Sequence, residues 1–480
     1  MPLVNFLIEN SNNYSNKEAI FDQKEQRSIS YSELLDESYK WASWLENKGV
    51  AKGDRVAILA TNRLEHILLL FACSLLNASL VPLNFRLSKN EIDELIDITN
   101  PKVFLTEFEP CERSTNFKDI KFPKPHSNFT PLENKSLLIL FTSGTTGTPK
   151  GVMLSDLMIE TNIKYTCECW NLNSDDIAII ETPFFHTGGY NVFCLPLLKL
   201  GGKVILAEKF DAKNAIQSIF DHKITVYFGV PTMFQLIADN ELFTKKSLES
   251  IRFFISGGAP ISLSLIENYQ KLGLNFKQGF GLTEVGPNCF LLNERDSIRK
   301  IGSIGKPMPH SDVIVLNENN RPVKVEETGE LLIKGDHVCS GYYGRPDLFE
   351  EVMFEGYFRT GDLVKYDNEG DYYIVSRKKD MYISGGENVY PAEVEKQLST
   401  HQDIDDSVVV SVPNEKWGEV GLAFLKTKRH FEVSEIKDFL NKKLSRYKMP
   451  MYIENRNEFP ILPNGKVNRK LLKEEARNLI

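Results

Sequence analysis

A ten-residue segment at positions 142–151 has the residue types that hold a polyphosphate. It reads TSGTTGTPKG between two apolar runs. Glycines let backbone N–H groups approach phosphate oxygens, hydroxyl groups add donors, and a lysine supplies positive charge. A Walker P-loop carries lysine directly after its second glycine, whereas Thr148 and Pro149 intervene here, so the segment predicts nucleotide chemistry outside the P-loop NTPases. The residues assigned to phosphate binding are Thr142, Ser143, Gly144, Thr145, Thr146 and Lys150.

The segments around this motif alternate between strand and helix patterns. Short apolar runs flank the motif at 137–141 and 152–154, and both are typical of strands. A strand–helix–strand order occurs at 55–82 and again at 203–229. This alternation predicts α/β layers with parallel strands. From about Gly302, short β segments separated by Gly, Asn and Pro predict a smaller β-rich subdomain.

Composition and charge disfavour several classes of protein. The chain has 480 residues, too many for one hydrophobic core, and its net charge of −8 gives no indication of nucleic-acid binding. Its most apolar stretch, 67–83, is interrupted by polar residues and falls short of the ~20 residues that cross a bilayer. The N-terminus lacks a secretion-signal pattern, and the seven cysteines have the scattered spacing of reduced thiols. We therefore expect a cytoplasmic protein without stable membrane insertion and without a nucleic-acid partner.

Further motifs follow the phosphate segment along the chain. They are FFHTGG (184–189), SGGAP (256–260), GFGLTE (279–284), RTGD (359–362), SRKKDMYISGGENVYPAEVE (376–395) and PNGK (463–466). With these motifs in this order the chain resembles the adenylate-forming superfamily of acyl-CoA synthetases, peptide-synthetase adenylation domains and luciferases, over nearly its whole length. The resemblance implies an α/β class fold with two parts. These are a large N-terminal AMP-binding domain of α/β layers plus a β-rich subdomain at 1–376, and a small mobile α+β C-terminal domain at 377–480, with the hinge at Lys379.

The chemistry implied by this resemblance is the activation of a carboxylate. A carboxylate is a poor electrophile, so it is first converted to a mixed anhydride with AMP, and two anions must be brought together to do so. Lys150 and a magnesium ion held by Glu284 would neutralise the phosphates, and the hydroxyl of Thr283 would bind them. By resemblance, Lys466 bridges the acyl carboxylate and the α-phosphate during adenylation.

Nucleotide recognition falls on three other motifs. Phe280 offers a flat ring for adenine where family members more often have tyrosine. Gly258 and Ala259 would form the facing wall. By resemblance, Asp362 accepts hydrogen bonds from the ribose hydroxyls and Arg377 contacts the ribose. The nucleotide set is completed by the glycines beside the aromatic ring, Gly279 and Gly281.

The second half-reaction needs a thiol to reach the acyl carbonyl and expel AMP. In the family the C-terminal domain rotates, withdraws the adenylation lysine and presents a glycine-rich loop to the thiol, and here that loop contains Gly385 and Gly386. A histidine beside two aromatic residues is usually a packed core residue. By resemblance, His186 lines the acyl pocket and gates thiol entry, which is a positioning role. We place it in the catalytic set with Thr283, Glu284 and Lys466.

The leading interpretation is an ATP-dependent carboxylate:CoA ligase that forms acyl-AMP and then acyl-CoA, using ATP, Mg²⁺ and coenzyme A. Its acid is predicted to be a medium- or long-chain fatty acid or an aryl acid. Three alternatives stay open: an o-succinylbenzoate–CoA ligase, a free-standing adenylating enzyme that loads a carrier protein, and a nucleotide-binding homologue without catalysis. The acyl-pocket motif at 186–192 contains no Lys or Arg to pair with a second carboxylate, which disfavours the first alternative. The sequence leaves a homodimer open.

Overall fold

The computed structural model of the chain describes residues 1–142, 149–259, 261–292, 295–385, 387–441, 443–462 and 466–480. Their contacts divide the chain into two units. Unit 1 comprises Met1–Val313 and Ile333–Phe358, and unit 2 comprises Ile314–Leu332 and Arg359–Ile480. The domain boundary predicted after Ser376 lies within unit 2 and stays a prediction.

Helices and strands alternate through most of the described residues. The α-helices are α1 (Val4–Asn13), α2 (Tyr31–Asn47), α3 (Glu65–Leu76), α4 (Lys89–Thr99), α5 (Asp156–Cys169), α6 (Thr187–Asn191), α7 (Cys194–Leu200), α8 (Ala212–His222), α9 (Pro231–Ala238), α10 (Leu263–Lys271), α11 (Asp296–Arg299), α12 (Pro346–Glu350), α13 (Pro391–Leu398), α14 (Val433–Leu440) and α15 (Arg469–Asn478). Short 3₁₀ turns occur at Phe117–Asp119 and Arg446–Lys448.

Most strands are short. They are β1 (Glu18–Asp22), β2 (Arg27–Ser30), β3 (Arg55–Leu59), β4 (Ser79–Leu83), β5 (Val103–Thr106), β6 (Thr115–Asn116), β7 (Leu138–Thr142), β8 (Lys150–Leu154), β9 (Ile177–Ile180), β10 (Lys203–Leu206), β11 (Val226–Gly229), β12 (Phe253–Ser256), β13 (Phe276–Gln278), β14 (Phe290–Leu291), β15 (Lys306–Pro307), β16 (Asp312–Leu316), β17 (Gly329–Lys334), β18 (Met353–Phe354), β19 (Tyr357–Tyr366), β20 (Tyr372–Arg377), β21 (Tyr382–Ser384), β22 (Glu387–Val389), β23 (Ile404–Asn414), β24 (Gly418–Thr427) and β25 (Tyr452–Arg456).

Local sequence explains where several helices begin. Ser30 and Ser88 each accept a hydrogen bond from the backbone N–H three residues later, and Glu33 and Glu91 bond back to the serine N–H. These reciprocal pairs are capping boxes, which satisfy backbone donors that the first helical turn leaves open. Helices α9 and α13 begin with proline, whose missing N–H is not needed at that position.

A seven-stranded sheet forms the centre of unit 1, in the order β13-β12-β11-β9-β10-β1-β2, and all its pairings except β1–β2 are parallel. Consecutive residues of its strands contribute to different hydrophobic clusters. One cluster contains Ala178 and Ile180, and another contains Ile179, which lies between them in the sequence. Because side chains of a strand alternate between the two faces of its sheet, both faces are buried.

A six-stranded sheet, in the order β6-β5-β3-β4-β7-β8, includes the strands on either side of the segment predicted to bind phosphate. Its strands are parallel except for β7 and β8, which form an antiparallel hairpin on either side of the segment. The strands predicted around the segment are therefore confirmed. The apolar stretch at 67–83 folds as the end of α3 followed by β4, so it is a buried helix that leads into a strand.

Antiparallel pairing dominates after residue 289. Strands β14 and β15 form a ribbon, and a five-stranded sheet has the order β16-β17-β19-β18 with β20 paired to β19. In unit 2 another sheet has the order β22-β21-β24-β23 with β25 parallel to β24. Residues of β23 alternate between a cluster that includes side chains of α13 and α14 and a second cluster that includes α15. The helices therefore cover opposite faces of this sheet, and the predicted fold class is confirmed.

In the part of the chain that the structure describes, no helix combines the length and the apolar composition needed to span a membrane.

Candidate active site

The carboxyl ends of parallel strands bring two nucleotide motifs together in unit 1. The backbone N–H of Gly257, after β12, donates to the carbonyl of Gly229 at the end of β11, with 3.2 Å between N and O. The N–H of Gly279, after β13, donates to the carbonyl of Ser256 at 2.7 Å. Residues that follow neighbouring parallel strands share one edge of the sheet, the usual place for a ligand in such folds. The structure thus places Gly258 and Ala259 beside the segment that begins at Gly279.

The loop that carries Thr283 and Glu284 is held by a close approach of its own backbone. A Cβ at residue 281 would overlap the backbone of Gly286 and Pro287, and the N–H of Leu282 donates to the carbonyl of Gly286 at 3.1 Å. Packing alone therefore requires glycine at 281, and its predicted contact with the nucleotide stays a prediction.

Phe280 lies at the start of this loop. Its ring packs edge-on against Phe290, with 5.5 Å between ring centroids and 85° between ring planes. Its carbonyl accepts from the N–H of Cys289 at 3.1 Å. These contacts fix the orientation of a half-exposed ring, which is the condition for stacking on a flat base.

Tyr342 links the phosphate segment to the loop of Glu284. Cross-strand pairing places Thr142 opposite Lys150, and the Nζ of Lys150 lies 4.8 Å from the centroid of the Tyr342 ring. The Tyr342 hydroxyl donates to Oε1 of Glu284 at 3.1 Å. Burial, together with the Glu284 charge, raises the pKa of Tyr342, so the hydroxyl stays a donor. The other four residues predicted for phosphate binding, Ser143, Gly144, Thr145 and Thr146, lie outside the described residues.

Sequence reasoning missed Tyr342. The tyrosine lies in the segment GYYGRP, which has the composition of a turn. Its position depends on a bridge between residue 342 and Val152, on an N–H of Tyr343 that donates to Gly151 at 2.7 Å, and on an N–H of Cys339 that donates to the carbonyl of Glu284 at 2.7 Å. These partners are more than fifty residues distant in sequence, so no local pattern reveals them.

His186 follows β9 and precedes the short helix α6. Its ring lies 4.6 Å from the Phe185 ring, centroid to centroid, and the Phe185 ring lies 5.6 Å from Phe85. A Cβ at Gly188 would lie 2.8 Å from Cε1 of Phe228, and one at Gly257 would lie 3.2 Å from Cε2 of the same ring. The Phe228 ring therefore fits between the acyl-pocket motif and the SGGAP motif because both neighbours lack a side chain.

Buried asparagine side chains connect helix α6, which follows His186, to Asn162 on α5 and to Asn288. The carbonyl of Asn191, at the end of α6, accepts from the side chains of Asn162 at 2.6 Å and Asn288 at 3.4 Å. The Asn191 side chain donates to Oγ1 of Thr187 at 3.0 Å. All three asparagines are buried, so each hydrogen bond fixes a group that cannot turn to water instead.

Asp362 and Arg377 form an ion pair in unit 2. They are cross-strand partners on β19 and β20, and 2.7 Å separates Nε of Arg377 from Oδ1 of Asp362. The backbone N–H of Asp362 donates to Oγ1 of Thr360 at 3.1 Å, and the guanidinium donates to the Thr360 carbonyl at 3.3 Å. Asp362 is buried while Arg377 is 40% exposed. The structure thus brings together the two residues predicted to contact the ribose.

Gly385 lies in the β21–β22 hairpin with φ of +60°, a conformation that favours glycine. A Cβ there would lie 2.7 Å from Cε3 of Trp417, whose carbonyl accepts from the Gly385 N–H at 2.9 Å. Trp417 is 43% exposed. Gly386, the second predicted glycine of this loop, lies outside the described residues. Trp417 is a second residue that sequence reasoning missed, because its contact with Gly385 spans two hairpins.

Lys466 lies just before α15. Its carbonyl accepts from the N–H of Leu462 at 2.7 Å, and the adjacent residue Val467 forms a bridge with Ile461. The lysine side chain is exposed. Its predicted contact with the α-phosphate stays a prediction.

A magnesium ion bound with a nucleotide fits the donor set around Glu284. Among the described residues, no group of three or more His, Cys, Asp and Glu side chains could hold a metal unaided. Mg²⁺ in nucleotide enzymes usually takes one or two carboxylates and completes its shell with phosphate oxygens and water. A single carboxylate oriented by the Tyr342 hydroxyl meets that requirement.

The chain matches two family models. Residues 7–343 match the model described as AMP-binding enzyme, and residues 393–466 match the AMP-binding enzyme C-terminal domain. A feruloyl-CoA synthase from Amycolatopsis sp is 35% identical over 94% of this chain and 93% of its own length. An indoleacetate–CoA ligase from Aromatoleum aromaticum is 32% identical over 95% of this chain and 94% of its own. The solved o-succinylbenzoate coenzyme A synthetase from Bacillus subtilis, in complex with ATP and magnesium, aligns with a TM-score of 0.90 at 28% identity, covering 98% of this chain and 99% of that one.

The chain belongs to the AMP-binding enzyme family. Within that family it is an AMP-forming acid–thiol ligase, an acyl-CoA synthetase. The predicted class of enzyme is confirmed.

Proposed function

We propose that this enzyme joins an aryl-substituted carboxylic acid to coenzyme A, with ATP and Mg²⁺, through an acyl-AMP intermediate. The observation that carries the aryl assignment is the Phe228 ring held between Gly188 and Gly257, beside the motif that contains His186. Aromatic rings pack well on flat groups, so a ring fixed at this position favours a flat, ring-containing acid. The feruloyl and indoleacetate groups named in two relatives both contain a ring.

In the first half-reaction a carboxylate oxygen of the acid attacks the α-phosphorus of ATP, and pyrophosphate leaves. Lys150 and the hydroxyl-rich segment beside it bind the departing phosphates, and Thr283 donates to a phosphate oxygen. Magnesium, when bound by Glu284, screens the phosphate charge. Lys466 stabilises the negative charge where carboxylate and α-phosphate meet, and the ribose is held by Asp362.

In the second half-reaction the sulfur of coenzyme A attacks the acyl carbonyl carbon, and AMP leaves with the electron pair of the broken C–O bond. Gly385 and Gly386 let the pantetheine arm pass close to the backbone, beside Trp417. His186 controls access to the carbonyl. We propose coenzyme A as the acceptor in preference to a carrier-protein thiol, and Lys379 as the hinge between the two half-reactions.

A second candidate substrate is an acid with two carboxylates. The guanidinium of Arg86 lies 5.4 Å from the centroid of the Phe85 ring and 6.0 Å from that of Phe185, the residue before His186. The acyl-pocket motif itself contains no cation, and the position of Arg86, from another segment, supports this second candidate. An o-succinylbenzoate-type acid therefore belongs in the substrate panel.

The test is mass spectrometry of reactions that contain ATP, Mg²⁺ and a panel of hydroxycinnamic, arylacetic, fatty and dicarboxylic acids, with and without coenzyme A. We expect aryl-CoA only when coenzyme A is present. Fatty acyl-CoA as the sole product would contradict the aryl assignment, and o-succinylbenzoyl-CoA would favour the second candidate. Acyl-AMP that accumulates and ignores coenzyme A would indicate a carrier protein. Light scattering of the same sample distinguishes a monomer from a homodimer.

A further inference from the structure

Two backbone hydrogen bonds near Lys466 join residues 460–462 to residues 466–468. The N–H of Leu462 donates to the Lys466 carbonyl at 2.7 Å, and the N–H of Asn468 donates to Pro460 at 2.7 Å. The Asn468 side chain then caps α15 by accepting from the N–H of Leu471 at 3.1 Å. Lys466 thus lies three residues before Arg469, the first residue of α15.

Arg469 makes a bidentate ion pair with Glu395, the last residue of the SRKKD…EVE motif. Its Nη2 lies 2.8 Å from Oε1 and 2.6 Å from Oε2 of Glu395, which is on α13. Paired N–H donors in a planar fork fix both distance and orientation, which a lysine cannot do. The Glu395 side chain is 15% exposed and that of Arg469 is 34% exposed.

The pair encloses the edge strand β23. Oε1 of Glu395 accepts from the backbone N–H of Val409 at 2.7 Å, and Nη1 of Arg469 donates to the Val409 carbonyl at 3.2 Å. Both backbone groups of one edge residue are therefore satisfied by the two partners of the ion pair. Since α13 and α15 cover opposite faces of this sheet, the pair connects them around its edge.

Two further carboxylates contribute to the electrostatics. Burial alone would lower the pKa of Arg469, but Glu395, Asp380 and Asp406 raise it overall, so the guanidinium stays charged. Burial raises the pKa of Asp406. Asp380 directly follows Lys379, so one of the carboxylates that act on Arg469 is adjacent to the predicted hinge residue.

We propose that the Glu395–Arg469 pair is a positioning device that holds the Lys466 loop in register for adenylation. The inference rests on the proposed function, because it assumes that Lys466 acts on the adenylation step. A misplacement of a catalytic group by about 1 Å can cost roughly a hundredfold in rate. The pair fixes the base of that loop at the first residue of the following helix.

The opposite end of α15 provides a matched control. There Nη2 of Arg456 lies 2.9 Å from Oε2 of Glu475, with 30% and 34% of the side chains exposed. This second pair also anchors α15 to the sheet, but it lies nine residues beyond Lys466. It should therefore contribute to the stability of the helix without affecting the lysine.

The test compares Arg469→Lys, Glu395→Gln and Glu475→Gln in the full-length enzyme. Acid-dependent pyrophosphate release measures adenylation, and thioester formation from supplied acyl-AMP measures the second step. We expect Arg469→Lys and Glu395→Gln to lower kcat for adenylation roughly 10- to 100-fold with KM for ATP nearly unchanged, while thioester formation is retained. Glu475→Gln should leave both steps unchanged. An equal loss of both steps in Arg469→Lys, accompanied by a lower thermal midpoint, would identify a structural pair and overturn the proposal.

A double variant separates this inference from the proposed function. If Arg469 acts through Lys466, then Arg469→Lys adds no further loss of adenylation in the Lys466→Ala background. A full additional loss there contradicts the positioning role while leaving the proposed function intact. Adenylation that survives Lys466→Ala contradicts the role of the lysine itself, and the inference fails with it.

Discussion

The two units hold their candidate site residues by different means. In unit 1 the nucleotide motifs are placed by backbone: parallel strand ends, the tight approach at Gly281, and the ring of Phe228 between two glycines. In unit 2 two ion pairs, Asp362–Arg377 and Glu395–Arg469, add side-chain contacts to the backbone hydrogen bonds at Gly385 and Lys466. Backbone placement survives changes of charge but not of volume, whereas ion pairs survive small changes of volume but not of charge. Substitutions that change only one of these properties should therefore separate the units.

The largest effect is expected at the charge of Lys466. Lys466→Ala should lower acid-dependent pyrophosphate release on the order of a hundredfold or more, since a charge that stabilises the transition state is lost. Thioester formation from supplied acyl-AMP should be spared. Lys470→Ala, on the exposed face of α15, is the control and should leave both steps unchanged. An equal loss of both steps would contradict the assignment.

A volume change in unit 2 should act on the other half-reaction. Gly385→Ala forces a left-handed φ on a side chain and brings a methyl to 2.7 Å from Trp417. We expect roughly 10- to 100-fold slower thioester formation with pyrophosphate release retained. Gly418→Ala has a comparable φ of +78° but no atom closer than 3.8 Å, so it measures backbone strain alone. If the two variants were equally slow, the Trp417 contact would have no part in the effect.

A volume change in unit 1 should alter substrate choice. Gly188→Ala places a methyl 2.8 Å from the Phe228 ring, so the ring must shift. We expect kcat/KM for ring-containing acids to fall roughly tenfold relative to a short linear acid, the usual cost of one methyl group in a pocket. Competition between two acids in one reaction measures this ratio. Adding Phe228→Leu should restore part of the loss, and an unchanged ratio would remove Phe228 from the acyl wall.

Loss of the Tyr342 hydroxyl should have a smaller effect. Tyr342→Phe keeps the ring beside Lys150 but removes the 3.1 Å hydrogen bond to Glu284. We expect KM for ATP–Mg²⁺ to rise roughly 3- to 10-fold, the net value of one typical intramolecular hydrogen bond. Tyr343→Phe is the adjacent control. If the KM for ATP were independent of Mg²⁺ concentration in both Tyr342→Phe and Tyr343→Phe, a role for Tyr342 in orienting Glu284 would be contradicted.

The smallest effect concerns stability. Burial raises the pKa of Glu181 to about 8, and the carboxyl accepts from the Tyr227 hydroxyl at 2.7 Å. Because the folded state binds a proton that the unfolded state releases near pH 4.5, stability should fall as pH rises from about 5 through 8. Glu181→Gln keeps the acceptor and cannot ionise, so its free energy of unfolding should vary less with pH, by about 1–3 kcal/mol across that window. Glu249→Gln, on the surface, should keep the wild-type slope, and a parallel slope in Glu181→Gln would show that the carboxyl does not titrate there.

Local sequence patterns predicted many of the helices and strands. They could not predict the contacts between segments that are distant in sequence. The hairpin around the phosphate segment and the helix and strand at 67–83 follow from apolar spacing within each segment. Tyr342, Arg86 and Trp417 lie near the predicted site residues through contacts between segments distant in sequence, and none of the three lies in a motif. The ion pair of Asp362 with Arg377 also depends on the β19–β20 register. A one-residue slip of either strand would place the two side chains on opposite faces of the sheet.

The alternation of β9–β12 side chains between two hydrophobic clusters has a consequence for evolution and engineering. Inserting one residue within such a strand would exchange every side chain beyond it between the clusters, so the strands tolerate substitution but not changes of length. The segments after the strands have no such constraint on length. Substrate range in this enzyme should therefore be changed by exchanging whole segments between fixed strand ends, such as that between Ile180 and Lys203, in chimeras whose crossovers leave every strand intact.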